Sequence, residues 1–123
     1  MNYSEMSDFE INCAVAEAIG QKRMPGMGWE GAQDKPYTVA ICGGPKRFGA
    51  FAPCSSWDDA GPIIQKYGIA IAFDEFEQEW VAFSEFRFDK AGWDMEVEPK
   101  KYHHNKDPLR AAMIVFLMMQ EAK

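Results

Sequence analysis

The chain has few of the residues from which disulfide frameworks, metal centres and nucleophilic sites are built. Cysteine occurs three times, at Cys13, Cys42 and Cys54. The number is odd and no C-x-x-C pair exists, so neither a disulfide framework nor a zinc site is indicated, and small buried hydrophobes are the expected role. Histidine occurs twice, as the adjacent His103 and His104. A Ser or Cys nucleophile would need one of them as base, and neighbours on an extended segment point to opposite sides, so the two do not serve one site. The opening MNYSEMSDFE is acidic and lacks the basic and apolar regions of a secretion signal, so the chain is expected to stay in a reducing cytoplasm. No run approaches the ~20 apolar residues that span a bilayer. The longest, Ala111 to Met119, is bracketed by Arg110 and Gln120. Repeats and low-complexity tracts are absent.

What is present is enough for a core. The 123 residues are 47% apolar and 14% aromatic, which predicts one compact domain over residues 1–123. The net charge of −6 comes from 19 acidic and 13 basic side chains mixed along the chain. That balance favours solubility and argues against nucleic acid as a partner, because a phosphate backbone repels such a surface. The same intermixing makes imitation of DNA by the acidic surface a poor reading.

The last stretch, DPLRAAMIVFLMMQEAK, organises the rest. Asp107 can accept from the free N–H groups of a first helical turn, and Pro108 sits where a missing N–H costs nothing. Ala111, Met113, Ile114, Val115, Phe116, Leu117 and Met118 surround the helix axis, so other elements must cover most of its sides. Earlier in the chain, Ser7 and Glu10 have capping-box spacing, and Ile11, Ala14, Val15, Ala18 and Ile19 share one face of a helix that Gly20 can end. Residues 21–36 hold too much Gly and Pro for a regular element and read as a long loop around Trp29. Tyr37 to Cys42 reads as a strand, with a return strand from Phe48 to Ala52 after a Gly43-Gly44-Pro45-Lys46-Arg47 turn. Ser56 and Asp59 mark a second helix from Trp57 to Tyr67, closed by Gly68, with Pro62 implying a later start or an irregular first turn. Ile69 to Phe73 reads as a strand covered on both faces, paired antiparallel with Trp80 to Phe88. After Gly92, Trp93, Met95 and Val97 alternate with acidic residues, giving an edge strand with one dry face. Pro99 to Lys106 reads as a polar, solvated loop carrying both histidines. Together these elements predict an α+β fold: an antiparallel β-sheet with helices packed against it, the C-terminal helix central.

Three stretches carry a family likeness: SDFEINCAVAEAIG, APCSSWDDAGPIIQKYGIAI and DPLRAAMIVFLMM. In content, order and spacing the chain resembles the NinX-like proteins of lambdoid phages and prophages, and more distantly the small phage domains called α-β-α sandwiches. Cys54, Trp57, Asp59, Ala60, Pro62, Ile63 and Ile64 carry the likeness together, as do Pro108, Leu109, Arg110 and Ala111. The resemblance implies an accessory phage protein, made in the cytoplasm of the infected bacterium and used to manage the host. It brings no catalytic residues and no cofactor.

Two features suggest ligand binding. Glycine N–H groups beside Lys46 and Arg47 can cradle a phosphate or carboxylate, although a plain hairpin turn explains the same residues. Arg110 stands in the first turn of the most buried helix, where positive charge opposes the helix dipole, so it requires a partner. The ordinary partner is a carboxylate such as Asp107 or Asp59, and the alternative is an anionic ligand. Trp29, Tyr37 and Trp57 offer rings for stacking a planar group, or are packed core. The leading expectation is a non-catalytic module that sequesters a small nucleotide-like anion to counter a host response, using Arg110, Lys46, Arg47, Trp29, Tyr37, Trp57 and Asp59. The second is a protein-interaction module acting on a host or phage protein through an exposed edge strand or the Gly/Pro loop. The third is a nucleotide-processing enzyme using Asp58, Asp59 and His103. No metal site is expected, since the DEFEQE run fits a solvated hairpin end, and an uncovered strand edge makes a homo-oligomer plausible.

Overall fold

The computed structural model describes residues 2–20, 22–23, 37–40 and 48–121. A single 3-10 turn, Tyr3–Glu5, leads into helix α1 (Asp8–Ala18). The expected capping box is formed: the Ser7 hydroxyl accepts from the Glu10 N–H at 3.1 Å, and the Glu10 carboxylate accepts from the Ser7 N–H at 3.0 Å. Each group thereby satisfies an otherwise orphaned helix-end donor. Strands β1 (Lys22–Arg23), β2 (Tyr37–Ala40) and β3 (Phe48–Phe51) form an antiparallel sheet in that order, with Tyr37 opposite Phe51 and Ala40 opposite Phe48. The expected hairpin is therefore present, while its turn lies outside the described residues. Lys22 and Arg23, read as loop, pair with β2 instead.

Helix α2 (Trp57–Tyr67) starts and stops at Ser56 and Gly68 as read, and Pro62 lies inside it. The bond that Pro62 forfeits would have gone to the exposed Asp58, one turn back. Gly68 is left-handed at φ 64°, which turns the chain into β4 (Ala70–Asp74). A second antiparallel sheet follows, in the order β4, β5 (Glu79–Ser84), β8 (Lys101–Asn105), and a hairpin of β6 (Arg87–Phe88) and β7 (Met95–Val97) interrupts the chain between β5 and β8.

Helix α3 (Pro108–Glu121) packs across β5 and β8 and against α1 and α2. Its Leu109 and every residue from Ala111 to Leu117 are buried, so the helix is enclosed on all sides, as its apolar circumference requires. Each large side chain withdrawn from water in this way contributes about 1.5–3 kcal/mol. The helix start is built as expected, with the Asp107 carboxylate accepting from the Leu109 N–H at 2.9 Å.

Three sequence expectations are corrected. The supposed polar loop 99–106 contains β8, because its backbone completes the sheet beside β5, and pairing outweighs the polar character of KYHHN. β4 is not covered on both faces: Ala72 on the outer face is exposed, and Phe73 on the α3 side is exposed near the strand's end, since continuous hydrophobicity cannot reveal how many layers will lie over a strand. Trp93 does not belong to a dry strand face. It sits in the β6–β7 connection, 86% exposed, where Gly92 at φ 77° and the Asp89 carboxylate, accepting from the Trp93 N–H, shape a tight turn.

Two polar devices fasten helix α1 and the residues before it. The buried Asn12 on α1 accepts from the Cys54 N–H at 3.0 Å, tying the helix to the segment before α2. At the head of α3, Arg110 donates to the Asp8 carboxylate at 2.7 Å and to the carbonyls of Tyr3 and Met6. Asn12→Ala would leave the Cys54 N–H without its acceptor, and a loss of about 1–3 kcal/mol in chemical unfolding is expected. Arg110→Met keeps the apolar stem but removes the donors, and a comparable loss of about 1–3 kcal/mol is expected in the same measurement. A third prediction concerns β8, where His103 faces inward and burial, with Arg110 and His104 nearby, holds its pKa below the usual 6.5. The neutral ring is thus favoured in the folded state, so this contribution to stability is complete above the unfolded pKa and is lost as pH falls below it. NMR titration should give His103 a midpoint under 6.5, and His103→Gln should flatten the decline in stability on acidification.

Candidate binding face

Side-chain alternation gives the β4–β5–β8 sheet two different faces. Ala82 and Ser84 of β5 are fully buried on the side that meets α3. Val81 and Phe83 therefore lie on the other side, together with their cross-strand partners His104 and Tyr102 on β8 and Ala72 and Ala70 on β4. The β6–β7 hairpin and the segment after it adjoin one end of this outer face. The result is a groove of about 440 Å³ lined by Val81, Phe83, Met95, Glu98, Pro99 and Tyr102.

The groove has aromatic continuity. Phe83 and Phe86 stand 5.0 Å apart between ring centres, and Phe86 and Phe88 stand 5.5 Å apart edge to face. Tyr102 meets His104 edge to face at 6.4 Å. Despite these contacts, Tyr102 is 58% and Phe88 50% exposed, and Met95 is exposed too. Large apolar side chains left open beside a concave surface are the usual mark of a contact site.

Charges around the face are mostly matched. Arg87 meets Glu96 at 3.0 Å, Lys101 meets Glu85 at 3.6 Å, and the His104 ring meets Asp74 at 3.3 Å. The Glu77 N–H, with that of Phe76 and the His104 ring, holds the Asp74 carboxyl below its ordinary pKa. Glu98 stands apart: among the described residues it has no cation within ion-pair distance.

Other concavities are more polar. Asn2, Tyr3, Ser4, His103, Met118 and Glu121 line a cleft of about 280 Å³, where burial and then the hydrogen bond to Glu121 push the Tyr3 phenol above its usual pKa. Another lies between the end of α1 and the face of α2 carrying Pro62 and Lys66. Among the described residues no His, Cys, Asp and Glu gather into a set able to hold a metal ion. Cys54 is fully buried, and its thiol is pushed up to about 12, chiefly by burial, which leaves it unreactive at neutral pH.

The residues singled out from sequence are dispersed. Trp29, Lys46 and Arg47 lie outside the described residues, and Tyr37 opens β2. Trp57 is the first residue of α2 and is 60% exposed. Asp59, in the same turn, accepts from the Ala52 N–H at 2.9 Å. Arg110 does have a partner, as its position against the helix dipole demands, and that partner is Asp8 together with carbonyls of the N-terminal turn. Its side chain is only 14% exposed. An anion binding at this guanidinium would compete with Asp8 for it. The groove residues were not anticipated, because Tyr102 and Glu98 sit in or beside a stretch read as loop and only pairing with β5 reveals their side of the sheet.

No helix among the described residues is long and apolar enough to cross a membrane. No curated protein was found to match the chain. Residues 2–120 match the family model described as Bacteriophage P22, NinX, and the chain therefore belongs to the NinX family of phage proteins, as its three signature stretches implied.

Proposed function

We propose that this phage accessory protein acts without catalysis, by docking on another protein of the host or phage through the outer face of the β4–β5–β8 sheet. The observation that carries this reading is the aromatic-lined groove on the sheet face opposite α3, with Tyr102, Met95 and Phe88 exposed around it. Tyrosine and other large side chains in such positions give protein interfaces most of their energy, because they bury much area at little entropic cost. The partner would be met in the host cytoplasm during infection, and its capture would serve to redirect or blunt a host process.

Capture of a nucleotide-like anion by Arg110, Lys46 and Arg47, with Trp29, Tyr37 and Trp57 stacking and Asp59 nearby, is the competing proposal. The geometry favours it less, since Arg110 is already engaged by three protein acceptors. The two readings separate experimentally. Affinity capture from infected cells should recover a stoichiometric protein with the native chain and lose it with Tyr102→Asp, a substitution at an exposed position whose circular dichroism and melting should match those of the native chain. Calorimetry with mono-, di- and cyclic nucleotides should give no binding heat. Retention of the same partner by Tyr102→Asp would remove the docking face, and nucleotide heats abolished by Arg110→Met in a still-folded protein would establish the anion reading instead.

A further inference from the structure

We infer that the groove between β5, β8 and the β6–β7 hairpin is an anchor site for a cationic side chain, arginine above all, projecting from the partner protein. The inference rests on the docking reading and adds the chemistry of what is docked. Five of the six lining residues, Val81, Phe83, Met95, Pro99 and Tyr102, are apolar or aromatic, and the sixth, Glu98, is acidic. Any occupant that closes the groove strips water from Glu98. An apolar anchor would leave that charge desolvated and unpaired, which is costly, whereas a cation offsets the loss directly.

Among the described residues no cation lies within ion-pair distance of Glu98. Arg87, on the adjoining hairpin, is engaged by Glu96, and Lys101, next to Tyr102 but on the α3 side of β8, is engaged by Glu85. Glu98 is left as the acidic group of the lining with no ion-pair partner among the described residues. The dimensions also fit. About 440 Å³ falls within the range for binding clefts, roughly 300–1,000 Å³, and leaves room for one long side chain. Val81, Met95 and Pro99 can cover the methylene stem of such a residue, and Tyr102 and Phe83 offer ring faces to its charged end. Arginine suits this surrounding better than lysine, because its planar head stacks on rings and meets a carboxylate through two parallel bonds. At longer range the net charge of −6 favours approach of a basic surface.

The test uses the intact protein, uniformly labelled for NMR, titrated with N-acetyl-arginine methylamide, the uncharged citrulline counterpart and N-acetyl-leucine methylamide. The arginine probe is expected to shift amides at residues 81–83 and 95–102 saturably. The citrulline probe should bind roughly tenfold more weakly or worse, since it keeps the shape and loses the charge-assisted bond. Glu98→Gln, an exposed substitution, should retain the native spectrum and abolish the preference for arginine. Equal binding of citrulline, or an arginine preference unchanged in Glu98→Gln, overturns the cationic anchor. Preferential binding of the leucine probe in the same groove also overturns it, while leaving the docking face standing. Failure of every probe to perturb the groove, together with partner retention by Tyr102→Asp, removes both readings. Light scattering that shows a dimer broken by Tyr102→Asp would assign the groove to a second copy of the chain and likewise end the proposal.

Discussion

Burial of α3 on all sides from Ala111 to Leu117 is the constraint on which the rest of the structure depends. A helix whose apolar side chains occupy its whole circumference must be surrounded, and here α1, α2 and the β5–β8 part of the sheet surround it. The cover reaches the first turn of the helix, where Leu109 is buried and unpaired N–H groups would be expensive. Asp107 answers part of that requirement by capping the first turn. Arg110 adds a positive charge at the positive end of the dipole, and the neighbouring N-terminal segment neutralises it with Asp8 and two carbonyl oxygens. One side chain of α3 thus couples the two ends of the described chain, and the N-terminal turn is fastened because the C-terminal helix needs it.

The same geometry determines where a partner can bind. One face of the β4–β5–β8 sheet is consumed by α3, and the described helices leave the opposite face uncovered. Residues placed there by strand alternation cannot all be polar, because β5 needs β-forming side chains on both sides to sit centrally between β4 and β8. Val81, Phe83 and Tyr102 are the outcome, and the β6–β7 hairpin shelters them only in part. An apolar surface that folding cannot cover is available for recognition.

Much of the fold was legible because its determinants are local. The Ser7–Glu10 box, the Ser56 start, the left-handed Gly68 and the Asp107-Pro108 start each act within one turn of helix, so their spacing along the chain is their spacing in space. The candidate site was less legible for the opposite reason. Whether KYHHN is a loop or a strand depends on a partner strand some twenty residues away, and a strand's sidedness decides whether Tyr102 or His103 meets solvent. The need of Arg110 for a partner could be read from its place in the helix, but Asp8 as the answer could not, since the two are 102 positions apart.

By itself the sequence determined the helices, their ends, the buried character of the last one, the α+β class and the membership of a phage family, all of which follow from periodicity, capping chemistry and motif content. Tertiary structure alone decided that β8 exists, which of the two histidines faces the core, that Arg110 is held by the N-terminal turn, and that one sheet face stays open. The reason is physical: a helix carries its hydrogen bonds within its own segment, whereas a strand acquires its bonds, its neighbours and its exposed face from residues distant along the chain.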